Sequence, residues 1–118
     1  MYTDKKYNIV ADQAATYELA ITWLDPSGNP VNLTGYSARM QVRLGYAEPN
    51  AVIDISSDTS NIVLGGTAGT IHITVPAVDM GFLKAPQTYV YDLRLQNGPT
   101  VTRLIEGAFQ VVPAVTIG

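Results

Sequence analysis

Between Tyr89 and Gly107 the chain reads Tyr-Val-Tyr-Asp-Leu-Arg-Leu-Gln, then Asn97-Gly98-Pro99, then, after Thr100, Val101-Thr-Arg-Leu-Ile-Glu-Gly107. Few folds accept such a stretch. Tyr89, Tyr91, Leu93 and Leu95 fall on one face, and Val90, Asp92, Arg94 and Gln96 on the other, the period of two that marks a half-buried strand. Asn-Gly-Pro cannot extend a ladder, so the two halves are predicted to close as an antiparallel hairpin. In the second half the alternation slips, because Leu104 and Ile105 are both apolar and Gly107-Ala108 precede Phe109 and Val111. A bulge at Gly107 is expected to restore the phase.

The same period recurs along the chain. Tyr17, Leu19, Ile21 and Trp23 alternate with Thr16, Glu18, Ala20 and Thr22, and Tyr36, Ala38, Met40, Val42 and Leu44 with Ser37, Arg39, Gln41 and Arg43. A first edge strand or arm is expected at Tyr7 to Val10, shorter strands at Ala51 to Ser56 and Ile62 to Leu64, and an alternating one at Thr70 to Val75. Asp25-Pro-Ser-Gly-Asn-Pro30 must turn, and Gly65-Gly-Thr-Ala-Gly69 reads as a flexible turn. Ala77 to Leu83 is the one plausible helix, weakened by Gly81. Seven or eight short strands with turn signals between them predict an all-β fold, a two-sheet antiparallel sandwich of immunoglobulin-like type. A closed barrel is the rival architecture. At 118 residues this is one domain, 1–118, with residues 1–6 and 114–118 as candidate flexible arms.

Composition narrows the partners. A net charge of −3 argues against nucleic acid and anionic membranes, which select clustered Lys and Arg. No cysteine is present, so neither a disulfide nor a thiolate metal site is available, and cytosolic synthesis fits best. Met1-Tyr-Thr-Asp-Lys-Lys lacks the apolar core of a signal peptide, and no apolar run is long enough to span a bilayer.

Catalytic chemistry finds little support. The only histidine, His72, falls on the outward phase of its strand, with no serine motif nearby for it to activate. Asp54, Asp58 and Asp79 are the loosest of metal groupings and lack calcium-loop spacing. Gly65 to Gly69 lacks the Lys and Ser or Thr that a phosphate loop places on the following helix. Neither catalytic residue, metal nor cofactor is expected.

Binding has better candidates. Trp23, Tyr17, Tyr36, Tyr89 and Tyr91 lie on inward phases, which leaves Tyr2 and Tyr46 as exposed aromatic contacts. Outward-facing Arg39 and Arg43, with Asp92, Arg94 and Arg103 from the hairpin, would share a locally basic face if their strands neighbour one another. That face is either a solvated mixed-charge surface or an arginine-rich contact for a neighbouring subunit.

Trp23-Leu-Asp-Pro-Ser-Gly-Asn-Pro-Val-Asn-Leu-Thr-Gly-Tyr36 and Ala38-Arg-Met-Gln-Val-Arg43 resemble the front half of small tailed-bacteriophage virion domains. Tyr89 to Leu95, Val101 to Gly107 and Val111-Val-Pro-Ala-Val-Thr116 resemble the back half of the same proteins, which include the amino-terminal domain of upper baseplate and tail-fibre-associated proteins. The likeness covers roughly residues 10 to 116. It implies an immunoglobulin-like module without catalytic residues, present in several copies in a virion and touching other tail, baseplate, fibre or head proteins. In upper baseplate proteins such a domain precedes a long receptor-binding part, whereas this chain stops at Gly118, which favours an adaptor or attachment subunit. Two alternatives stay open: a capsid-decorating or head-associated protein, and a glycan- or receptor-binding module using Tyr46, Tyr2 and the loop around Asp25 to Asn29.

Overall fold

The computed structural model describes residues 6–113. Eight strands follow one another: β1 (Ile9–Asp12), β2 (Tyr17–Thr22), β3 (Ser37–Arg43), β4 (Ile53–Ser56), β5 (Ile62–Leu64), β6 (Thr70–Val75), β7 (Gln87–Asn97) and β8 (Thr100–Val112). A single helical turn, α1 (Ala77–Met80), joins β6 to β7. It is shorter than the Ala77 to Leu83 expected, because Gly81 follows and Leu83 turns inward to full burial.

The strands form two sheets, ordered β1-β8-β7-β3-β4 and β2-β6-β5. The chain crosses between the sheets at β1/β2, β2/β3, β4/β5 and β6/β7, the arrangement of an immunoglobulin-like sandwich, with β4 as an extra strand beside β3 in the larger sheet. Tyr89, near the start of β7, accepts a hydrogen bond from the Lys84 N–H at 2.9 Å, a bond of the tyrosine-corner kind found at this connection. All pairings are antiparallel but one: β1 runs parallel to β8, Ile9 opposite Phe109. The sandwich, not the barrel, is the outcome. Each sheet turns its apolar phase to the other, and this decides why alternation was such a strong signal.

Between them lie Met40, Val42, Ile71, Ile73, Val75, Leu93, Leu95, Ile105, Phe109 and Val111, all fully enclosed. No polar or charged residue is buried among the described residues. The inward side of β2 is less covered: Tyr17, Leu19 and Ile21 are half-buried, because β2 is the last strand of its sheet. Trp23 and Tyr36 are likewise half-buried and meet edge to face, centroids 5.9 Å apart. Leu44, expected inward, is 50% exposed, since β3 ends at Arg43 and the chain turns away.

Two local features differ from the sequence reading for identifiable reasons. The bulge lies at Leu104, not Gly107: Leu93 pairs with Ile105 while Arg94 pairs with Arg103, so Leu104 has no partner across the ladder. Leu104 and Ile105 are both buried, which accounts for two adjacent apolar residues in a strand that otherwise alternates. Gly107 instead serves close approach, for a Cβ there would lie 2.7 Å from the Tyr7 carbonyl oxygen. Gly65 to Gly69, read as flexible, is a braced 3-10 turn: the Leu33 and Trp23 N–H groups donate to the Gly66 and Gly69 carbonyls at 2.8 and 2.9 Å.

Lys6, assigned to an arm, bridges to Glu106 as β1 approaches β8. The remainder of both expected arms, and Tyr2 with them, lies outside the described residues.

Candidate contact surface

The inward face of the larger sheet is core, and its outward face collects charge. Outward residues of β3, β7 and β8 fall into cross-strand rungs. In one rung Arg39 stands opposite Arg94 and Arg94 opposite Arg103, three guanidinium groups abreast. The next outward rung places Asp54 opposite Gln41, Gln41 opposite Asp92 and Asp92 opposite Glu106. Beyond it come Arg43, Val90 and Ala108. The structure therefore brings Arg39, Arg43, Asp92, Arg94 and Arg103 together, and this face holds all four arginines of the chain.

Like charges directly opposite one another destabilise a sheet, and here diagonal carboxylates relieve the arginine rung. Arg39 grips Asp54 through two bonds, Nε to Oδ1 at 2.9 Å and Nη2 to Oδ2 at 2.5 Å, the bidentate fork that suits a carboxylate. Arg94 Nε and Arg103 Nε approach Asp92 Oδ2 at 3.3 and 3.6 Å, and Arg103 Nη1 reaches Glu106 Oε1 at 3.3 Å. Arg43 donates to the Gln41 side chain at 2.7 Å and to the Glu48 carbonyl at 2.8 Å, while Gln41 donates to Asp54 at 3.0 Å. Four arginines against Asp54, Asp92 and Glu106 leave a formal charge of +1. The face is nearly neutral and ordered by ion pairs, rather than the basic patch expected from the arginines alone.

Hydrogen bonding to Arg39 holds the Asp54 carboxyl below its ordinary range, against the opposing pull of partial burial. A depressed carboxylate contributes stability above its unfolded-state pKa, and that contribution fades as pH falls through the folded value. Because Asp54 is well exposed, solvent screening keeps the energetic share small. Arg39→Ala is expected to return the Asp54 titration toward the ordinary carboxylate range, read by NMR of the side-chain carboxyl. A titration that does not move would mean that Arg39 is not the cause.

Along the strands the face is hollowed. A depression of about 410 Å³ involves Arg43, Tyr46 and Val90, and a second of about 320 Å³ involves Ser37, Gln96 and Val101. Both touch Arg39 and Arg94, one on each side of the arginine rung. Tyr46, 73% exposed, lines the first of them.

The carboxylate rung, apart from Asp92, went unrecognised in the sequence. Asp54 was legible, since Ile53 and Ile55 flank it and send it outward. Glu106 was not, because its place beside Arg103 depends on the bulge: residues three apart share a strand face only when an extra residue lies between them.

Other sequence candidates are scattered. Tyr46 follows the end of β3, whereas the Asp25 to Asn29 turn hangs from Trp23, which packs on Tyr36 at the start of β3. Seven residues of strand, about 20 Å, separate them. His72 lies on the smaller sheet with its Nε2 3.4 Å from Glu18 Oε1, both half-exposed. Asp54, Asp58 and Asp79 sit on β4, a following 3-10 turn and α1, and no three potential metal ligands converge among the described residues. No helix among those residues is long and apolar enough to cross a membrane.

No family model and no curated protein matches the chain. One solved structure, described as a site-directed photo-crosslinking analysis of multimeric cell-adhesive interactions of VGSC beta subunits, aligns over 98% of each chain at 14% identity with a TM-score of 0.44. A likeness of that degree carries nothing about function.

Proposed function

We propose that this chain is a non-enzymatic attachment subunit of a tailed-bacteriophage virion, made in the host cytoplasm and joining tail, baseplate or fibre proteins through the outer face of its five-stranded sheet. The observation that carries the contact reading is the gathering of every arginine on that one face, held in place by ion pairs on a rigid sheet. Arginine's planar fork loses little freedom when it meets a partner carboxylate, and protein interfaces are enriched in it. The virion setting comes from the likeness of residues 23–43 and 89–116 to phage structural domains. Head association is the second reading, since the same face suits a capsid partner.

A mass-spectrometric inventory of purified particles tests the setting, and cross-linking from the outer face tests the surface. The expected result is a stoichiometric polypeptide whose cross-links from β3, β7 and β8 run to a tail, baseplate or fibre protein. Cross-links to capsid protein would move it to the head. Absence from particles would overturn the virion reading.

A further inference from the structure

Within one subunit the two charged rungs pair diagonally, and their alternation also suits pairing across a twofold axis. Positive and negative rows lie side by side, about 7 Å apart along the strands. We propose that this face docks on a second copy of the same chain, with the twofold axis lying in the interface and running along the rungs, between the arginine row and the carboxylate row. The inference rests on reading this face as a contact surface, and the self-contact belongs to the free subunit: it gives way when a virion partner takes the face.

Such a rotation reverses strand direction but keeps strand order. It sets Arg94 over the partner's Asp92, Arg103 over the partner's Glu106, and Arg39 over the partner's Gln41 beside its Asp54. The next rungs agree: Val90 meets the partner's Gln96, Ala108 meets the partner's Val101, and Arg43 meets the partner's Ser37. No two like charges face each other. An axis along the strands would instead lay arginine row on arginine row, so the rungs choose the orientation as well as the partner. An isologous interface must be self-complementary, and this pattern is.

Long-range charge points to the same face. With the chain at −3 and this face at +1, the rest of the surface carries −4, so two copies repel least when they meet here. Five strands at about 4.8 Å spacing and an eleven-residue β7 give a footprint of roughly 600 Å² per copy, the small end of specific interfaces. Association is therefore expected to be weak, reversible and salt-sensitive.

Analytical ultracentrifugation of the full chain provides the test. At about 25 mM salt a species of twice 12.7 kDa is expected, with self-association weakened about tenfold at 0.5 M through screening. Arg94→Glu and Asp92→Arg should each weaken self-association about 100-fold, since each sets like charges face to face twice per dimer. An equimolar mixture of the two variants should regain a heterodimer, because each introduced charge then meets its opposite. The swap Arg103→Glu with Glu106→Arg repeats the logic one strand over, should the first pair fail to fold. A chain that stays monomeric to millimolar concentration at low salt overturns the proposal, as does a dimer indifferent to these reversals or a mixture that does not recover. A monomer still found in particles would sink the dimer alone, and a charge-swappable dimer missing from particles would sink the virion reading alone.

Discussion

Phe109→Ala is expected to lower unfolding stability by about 3 to 5 kcal/mol, the range for removing a fully enclosed aromatic ring. Phe109 has no exposed surface, and its ring meets two others edge to face: Tyr17 at 5.8 Å and Tyr91 at 6.3 Å. Tyr91 belongs to the same sheet and Tyr17 to the opposite one, so Phe109 ties the two layers together where β1, β7 and β8 meet. Each edge-to-face pair adds about 0.5 to 1.5 kcal/mol beyond area burial, which places this site toward the upper part of the range. Tyr17 sits in the same contact with its phenol pushed above the ordinary value, by burial first and by Tyr7 second. Thermal unfolding followed by circular dichroism should show a midpoint lower by about 15 °C, taking about 4 °C per kcal/mol for a chain of this length. Phe109→Leu keeps most of the volume and should lose much less. An alanine variant melting within a few degrees of the unmutated protein would contradict the central position assigned to this ring.

Gly107→Ala should detach β1 while leaving the rest of the sandwich folded. A Cβ at this position would lie 2.7 Å from the Tyr7 carbonyl oxygen and 2.7 Å from Asn8 Oδ1, and the first of these is backbone that no rotamer change can move. The chain entering β1 must therefore shift. Three bonds are at stake there: the Tyr7 N–H to the Glu106 carbonyl at 2.8 Å, the Ala108 N–H to Asn8 Oδ1 at 3.1 Å, and the Tyr91 hydroxyl to the Tyr7 carbonyl. Ile9 and Ala11, both buried, would lose cover, and exposing the isoleucine alone costs about 1.5 to 3 kcal/mol. Hydrogen exchange should show faster exchange confined to β1 and the facing edge of β8, with β3 and β7 still protected. Uniform loss of protection, or none, would show that β1 does not dock as an independent edge.

Alternation alone made β2, β3, β6 and β7 legible, because a two-sheet sandwich buries one face of each strand and so writes its architecture into the period. The Asn-Gly-Pro turn was equally plain. Gly98 opens the two-residue loop between Asn97 and Thr100 with φ of +59°, as a type II′ turn requires of its first central residue. The candidate surface was half legible: β3 and β7 display Arg39, Arg43, Asp92 and Arg94 by period, but their adjacency is a pairing across some fifty residues of chain that no local pattern encodes. The carboxylates completing the surface come from β4 and from the far side of a bulge.

What the residues themselves determined is therefore the set of strands, the apolar faces that bring them together, and which side chains point away from the core. Tertiary structure decided the strand order, the parallel docking of β1, the bulge at Leu104 and the adjacency of the two charged rungs. The reason is physical. Periodicity is a property of each strand taken singly and follows from burying one face, whereas register between distant strands is set by how whole sheets pack, and a shift of one residue there sends a side chain to the opposite face.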